Sequence, residues 1–208
     1  MYVPKHFAET DCTTLADIMR ASSFASLVTT RDGLPVATHL PLYLDADRGE
    51  HGTLLGHVAR ANDHWRLFDG NSAALAIFGG IHSYIGPNWY GSQNAVPTWN
   101  YLAVHAYGAP QVVEDPAAVL DILERLTASY ETDTSGNWRM DRMEPDLLHG
   151  MLKGIVAFEM PIDRIDGKAK MGQNKKPEEI RGAVRGLRST GEPMATAVAS
   201  EMERRLKK

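Results

Sequence analysis

Three stretches carry the side chains best suited to chemistry. In GHVARANDHWR (56–66) a strand ending in Gly56-His57-Val58 meets Arg60, and Asn62 and Asp63 can then cap a short helix. A strand end that meets a helix start beside an arginine suits a phosphate, because amide dipoles and guanidinium both favour a dianion. The same residues also read as an ordinary strand–helix junction with a solvated arginine. In VPTWNYLAVHAY (96–107), Trp99, Tyr101, His105 and Tyr107 fall at odd positions and share one face of a strand. They can cover an aromatic ligand, or pack a sheet on a helix. KAKMGQNKK (168–176) places four lysines beside Gln173 and Asn174, which can reach a phosphate or a ring edge or simply be solvated.

Several other chemistries lack their signatures. The eight histidines, His39, His57, His64 and His105 among them, form no HExxH pair, and no acidic cluster accompanies them. They read as hydrogen-bonded core or surface imidazoles. There is no GxGxxG, no GxxxxGK[ST] and no GxSxG. No residue stands out as general acid, base or nucleophile.

The elements that position these residues are mostly strands. Residues 24–30 and 34–44 flank Asp32-Gly33, a strong hairpin signal. Residues 52–58, 73–79, 82–85 and 103–113 read as further strands, with Gly79-Gly80 as a turn and Ala109-Pro110 marking an edge or bulge. Residues 154–162 make a last strand. Thr13 or Thr14 can cap a first helix, residues 60–68 form a short one, and Asp115-Pro116 and Glu144-Pro145 start two more. Pro177 and Pro193 open two final helices, burying Ile180, Ala183, Val184 and Leu187 in one and Met194, Val198, Met202 and Leu206 in the other. The pattern predicts a mainly β fold, a closed antiparallel barrel with peripheral helices.

Composition narrows the class. The chain has 208 residues, 22 basic and 26 acidic, with a single cysteine, Cys12, which excludes a disulfide scaffold. MYVPKHFAE lacks the pattern of a secretion signal and no apolar run spans a membrane, so a cytoplasmic protein is expected. Residues 1–152 hold 9 basic and 18 acidic residues, whereas 153–208 hold 13 and 8. Residues 70–113 contain no Asp, Glu, Lys or Arg, yet carry seven of the 16 aromatics, and Asn71, His82, Asn88, Gln93, Asn94, Asn100 and His105 interrupt them. Such a segment suits a buried surface against a ligand or a partner subunit.

Taken in order, MYVPKHF, ATHLPLYLD, GTLLGHVARANDHWR, Tyr84-Ile85-Gly86-Pro87 with Trp89-Tyr90, VPTWNYLAVHAYG and IVAFEMPIDRIDGKAKMGQNK resemble the PaiB-type FMN-binding negative transcriptional regulators. The resemblance implies a split β-barrel of the flavin-reductase and pyridoxamine-oxidase kind, with residues 1–208 as one FMN-binding domain and a basic helical extension at about 177–208. It implies a homodimer with FMN at its interface. Arg60, with Asn62 and neighbouring His57, would meet the phosphate. Thr38, His39, Leu40 and Pro41 would lie along the isoalloxazine, with backbone amides on its polar edge. Trp99, Asn100, Lys170, Gln173 and Asn174 would approach from the second subunit. Gly172 stands where many relatives carry a serine, which removes one hydroxyl donor.

Two functional classes follow. In one, FMN occupancy or redox state changes binding to DNA, and the protein is a repressor. In the other, the flavin takes hydride from NAD(P)H and passes electrons on, as in a flavin reductase. The basic tail, with Lys175, Lys176, Arg181, Arg185 and Arg188, offers non-specific affinity for nucleic-acid phosphates. It reads equally as a solvated helix pair, and no helix-turn-helix is visible.

Overall fold

The computed structural model describes residues 1–91 and 94–207; Gln93 of the uncharged window and Lys208 of the basic extension lie outside them. The described residues form nine strands and five α-helices. β1 is Ala8–Glu9, and α1 is Cys12–Ala21. Strand β2 (Phe24–Arg31) turns into β3 (Leu34–Pro41) through Asp32 and Gly33, whose φ values of 52° and 79° suit a two-residue hairpin turn. Arg31 faces Leu34, and the register runs without a slip to Phe24 opposite Pro41.

β4 (Tyr43–Asp45) pairs with β5 (Thr53–Ala59), and β5 with the long β9 (Ile155–Lys170), Gly56 facing Phe158. With β6 (Ala74–Ile85) and β7 (Thr98–Gly108) the pairing order is β3-β2-β6-β7-β9-β5-β4; β1 and the short β8 (Gln111–Val112) also pair with β9. β3 therefore ends the series, with β2 as its one ladder partner among the described residues.

The chain divides into two compact units. The first comprises Met1–Ile18, Gly79–Val104 and Asp166–Lys208. Its core packs Ile180, Val184 and Leu187 of α4 (Pro177–Ser189) with Val198 and Met202 of α5 (Pro193–Leu206), Ile85 and Met171. Each such side chain stabilises by about 1.5–3 kcal/mol when buried. Gly186 in α4 admits the indole of Trp89, for a methyl there would lie 2.3 Å from the ring.

The second unit comprises Met19–Phe78 and His105–Ile165. There α2 (Pro116–Tyr130) lays Ile122 and Leu126 on Leu55 and Ala157, and Phe68 packs on Phe158 with ring centroids 4.7 Å apart. Asp115 caps α2 by accepting from the Ala118 amide. The short helix α3 is Pro145–Leu152.

Several local expectations change. Asp11, not Thr13 or Thr14, caps α1, since its carboxylate accepts from both the amide and the hydroxyl of Thr14. β6 runs unbroken through Gly79-Gly80. Glycine serves close approach there, because a Cβ at Gly80 would sit 2.8 Å from that of Leu102. β9 continues eight residues past Ile162. The strand expected at 103–113 starts earlier, at Thr98, and breaks at Ala109-Pro110. The helix expected at 60–68 is a 3-10 turn, Asp63–Leu67. Met194 is 45% exposed, and Ala195 takes the buried position instead.

Candidate functional site

The open edge of β3 organises the site in the second unit. Antiparallel pairs alternate between those that exchange main-chain bonds and those that do not. The two-residue turn makes Arg31–Leu34 a bonded pair, and the same alternation carries down to Leu42, whose amide donates to the Ser23 carbonyl at 2.9 Å. Leu34, Val36, Thr38 and Leu40 therefore bond inward to β2. Pro35, Ala37, His39 and Pro41 turn their main-chain groups outward. The prolines have no N–H, so Ala37 and His39 hold the edge's two amide donors, and no partner meets either amide among the described residues.

Behind this edge lies a polar network. The His64 ring, 1% exposed, sits between two hydroxyls: Nε2 is 2.7 Å from Thr29 Oγ1, and Nδ1 is 2.8 Å from Thr38 Oγ1. Asn62 Nδ2 donates to Thr38 Oγ1 at 3.1 Å, and Asn62 Oδ1 caps the 3-10 turn by accepting from the His64 amide. Burial, helped by the Arg31 charge, lowers the pKa of His64 and keeps it neutral. His39 is exposed, with Nδ1 2.8 Å from Ser26 Oγ, while Leu40 is buried.

Arg60 follows β5. Its Nε donates to the Lys153 carbonyl and its Nη2 to the Ile155 carbonyl, both at 2.8 Å, which fixes the guanidinium and leaves donors of Nη1 and Nη2 outward. With Trp65, His149 and Lys153 it lines a groove of about 500 Å³. His57 borders an apolar cavity of about 180 Å³ with Leu123, Met140 and Met151. Its Nδ1 is buried with no hydrogen-bond partner among the described residues, and burial lowers its pKa.

The other expected residues belong to the first unit. Trp99 is 53% exposed, and its ring lies 6.1 Å from Tyr84 and 6.2 Å from His82. Lys170 donates to Thr98 Oγ1 and, at 2.9 Å, to the Trp99 carbonyl; burial lowers its pKa. Asn100 points the opposite way from Trp99, is 1% exposed, and donates to the Met202 sulfur at 3.3 Å. Gln173 clamps the turn after β9, accepting from the Met171 amide and donating to the Ala169 carbonyl. Gly172 has φ 85° there, a left-handed conformation that glycine adopts freely. Asn174 is exposed on the same turn.

Comparison with known proteins adds the family. Residues 1–164 match the family model described as "Putative FMN-binding domain". The chain belongs to that family. Its cofactor is FMN. Over 211 aligned residues it is 36% identical to the Protease synthase and sporulation protein PAI 2 of Bacillus subtilis, covering 100% of this chain and 99% of that one. Among solved structures, the FAD and heme binding protein of Mycobacterium smegmatis matches with a TM-score of 0.62 at 19% identity, covering 83% of this chain and 78% of that one. The flavocytochrome Anf3 of Azotobacter vinelandii matches with 0.62 at 16%, covering 81% and 72%. At these identities the likeness is one of fold. The fold is the split β-barrel expected from the sequence.

The residues present fit the cofactor. FMN brings a phosphate dianion and a flat ring with one polar edge. The open edge of β3 supplies two amides at strand spacing, with the Ala37 carbonyl between them. Thr38 adds a half-buried hydroxyl, and Arg60 a fixed guanidinium with unengaged donors.

In sequence, His64 is one histidine among eight and Thr29 an ordinary strand residue. The available signal is the parity of threonines: Thr29 and Thr38 lie on paired strands, and Asn62-x-His64 follows the end of β5.

Proposed function

We propose that the protein holds FMN along the open edge of β3 and acts as a flavin-dependent negative regulator of transcription. The observation that carries the cofactor placement is the pair of unengaged amides at Ala37 and His39, framed by two prolines that keep the edge unpaired. Thr38, Leu40 and Pro41 complete that strand. Arg60 neutralises the phosphate, with Asn62 and His57 nearby. Full-length similarity to PAI 2 supports the regulator reading. FMN supplies reversible two-electron chemistry, and the protein's part is to bind, orient and shield it.

The working form is a cytoplasmic homodimer with FMN held where two copies meet. The whole chain, 1–208, serves as one FMN-binding domain, and the helices from 177 are its basic extension. The exposed Trp99 and Tyr84 are large apolar surfaces of the kind that dimers cover. From this surface Trp99, Lys170 and Asn174 would come to the flavin, while Gln173 holds the turn beside Lys170 and Asn174, and Asn100 ties β7 to Met202 of α5. Among the described residues no helix is long and apolar enough to cross a membrane.

A mixture of FMN-loaded protein with NADPH or NADH and with genomic DNA fragments separates the two classes. The regulator reading expects salt-sensitive, sequence-selective retention of DNA that changes with flavin occupancy. Rapid NAD(P)H oxidation without DNA retention would instead establish a flavin reductase.

A further inference from the structure

We infer that His64 is a positioning residue that fixes the Thr38 hydroxyl as an outward hydrogen-bond donor to an oxygen of FMN. The inference rests on the FMN reading above, but its core is a matter of internal hydrogen bonding.

The Thr29 hydroxyl is buried, and its one side-chain partner among the described residues is His64 Nε2. If Nε2 carried the proton, the Thr29 hydrogen would be left buried without an acceptor. That is a costly arrangement which native structures avoid. Thr29 therefore donates to a bare Nε2, and the proton of the neutral ring resides on Nδ1. Nδ1–H then donates to Thr38 Oγ1, 2.8 Å away. Asn62 Nδ2 is a donor in any orientation consistent with its Oδ1 accepting from the His64 amide, and it also points at Thr38 Oγ1. Both acceptor positions of that oxygen are filled from within. The Thr38 hydrogen must then point to a group outside the network. Thr38 is only half-buried, so a ligand can reach it.

The groups that face the ring keep this state in place. Burial beside Phe68 opposes a second proton on the imidazole, as does Arg31, which donates to the Asp63 carbonyl. A chain running Thr29 to His64 to Thr38 thus has one direction. It ends on a donor suited to a phosphate or carbonyl oxygen, and it would reject a donor group presented at the same place.

Long-range proton–nitrogen NMR on the protein without FMN reads the ring directly, with the His64 signal assigned by its loss in His64→Gln. Nδ1 is expected protonated and Nε2 bare, unchanged between pH 8 and 6.5. An Nε2–H ring, or an imidazolium at neutral pH, overturns the inference. In parallel, Thr38→Val should weaken FMN binding about five- to tenfold, and Thr38→Ser should restore it. Titration with riboflavin distinguishes the acceptor. A loss seen with FMN alone assigns it to the phosphate, and a loss shared with riboflavin assigns it to the ring. An unchanged affinity in Thr38→Val overturns the inference even where wild-type protein binds FMN. Wild-type protein that shows the Nδ1–H ring yet takes up no FMN would contradict the cofactor reading and leave the internal relay standing.

Discussion

The Leu42 amide donates to the Ser23 carbonyl at 2.9 Å, and this bond sets the parity of the whole hairpin. Counting back from it, every even-numbered residue of β3 is engaged with β2, and every odd-numbered one turns its main chain outward. The two outward prolines, Pro35 and Pro41, cost no ladder bond in that phase. In the opposite phase each would break one.

Ala37→Pro tests the edge with little disturbance. It removes one outward donor at a position equivalent to those where proline already stands. The variant should fold with a stability change below about 1 kcal/mol and bind FMN about tenfold more weakly. Thr38→Pro, one residue on, removes an inward bond and should unfold the hairpin. Thermal melts and flavin-fluorescence titrations of the two variants check both halves.

This edge was partly legible in the sequence. Asp32-Gly33 located the hairpin, and Thr38, His39, Leu40 and Pro41 were expected along the flavin, but Ala37 was not, because which amides are open depends on register, and register on the turn. Gly79-Gly80 was misleading. Glycine pairs mark turns as a rule, yet these lie within a strand because Leu102 packs against Gly80. The continuation of β9 was hidden by its charge, since DRIDGKAK shows no apolar alternation; β1 pairs there, Ala8 with Lys168 and Glu9 with Gly167. The role of Asn100 turned on which face of β7 it occupies, and alternation alone does not say which face is buried.

Arg60→Ala should act on two properties. The guanidinium bonds the carbonyls of Lys153 and Ile155, so its loss should lower stability by about 1–2 kcal/mol. It should also weaken FMN binding by about 1.5–3 kcal/mol while barely changing riboflavin binding. Arg60→Lys lacks the planar fork whose Nε and Nη2 meet the two carbonyls and should recover only part of either property. Equal losses for FMN and riboflavin would remove Arg60 from the phosphate.

Stability should fall in mild acid because of His57 and His64. Burial lowers both values below the ordinary 6.5, so near and below pH 6.5 the unfolded chain takes up protons that the folded chain refuses. Stability is complete above 6.5 and declines as pH falls toward the folded values, by at most about 1.4 kcal/mol per pH unit for each ring. Urea melts between pH 8 and 5 should show the decline, and His64→Gln should make it shallower, leaving the part due to His57. A profile level across that range would mean that the rings protonate as readily folded as unfolded.

Gly186→Ala should displace Trp89 from α4. A methyl there would lie 2.3 Å from the ring, a clash that α4 and the Pro87–Tyr90 turn must relieve by separating. Overpacking of this kind costs about 1–3 kcal/mol. A lowered melting temperature with red-shifted tryptophan emission is the expected outcome, while an unchanged melt would show that the turn yields freely.

On the proposed reading, the amides of Ala37 and His39 receive the flavin. Amide proton–nitrogen spectra of labelled protein, recorded during FMN addition, test it most directly. These two signals should move most within β3, with Val36 and Leu40, whose amides bond β2, moving least. Saturating FMN that leaves Ala37 and His39 in place would contradict it.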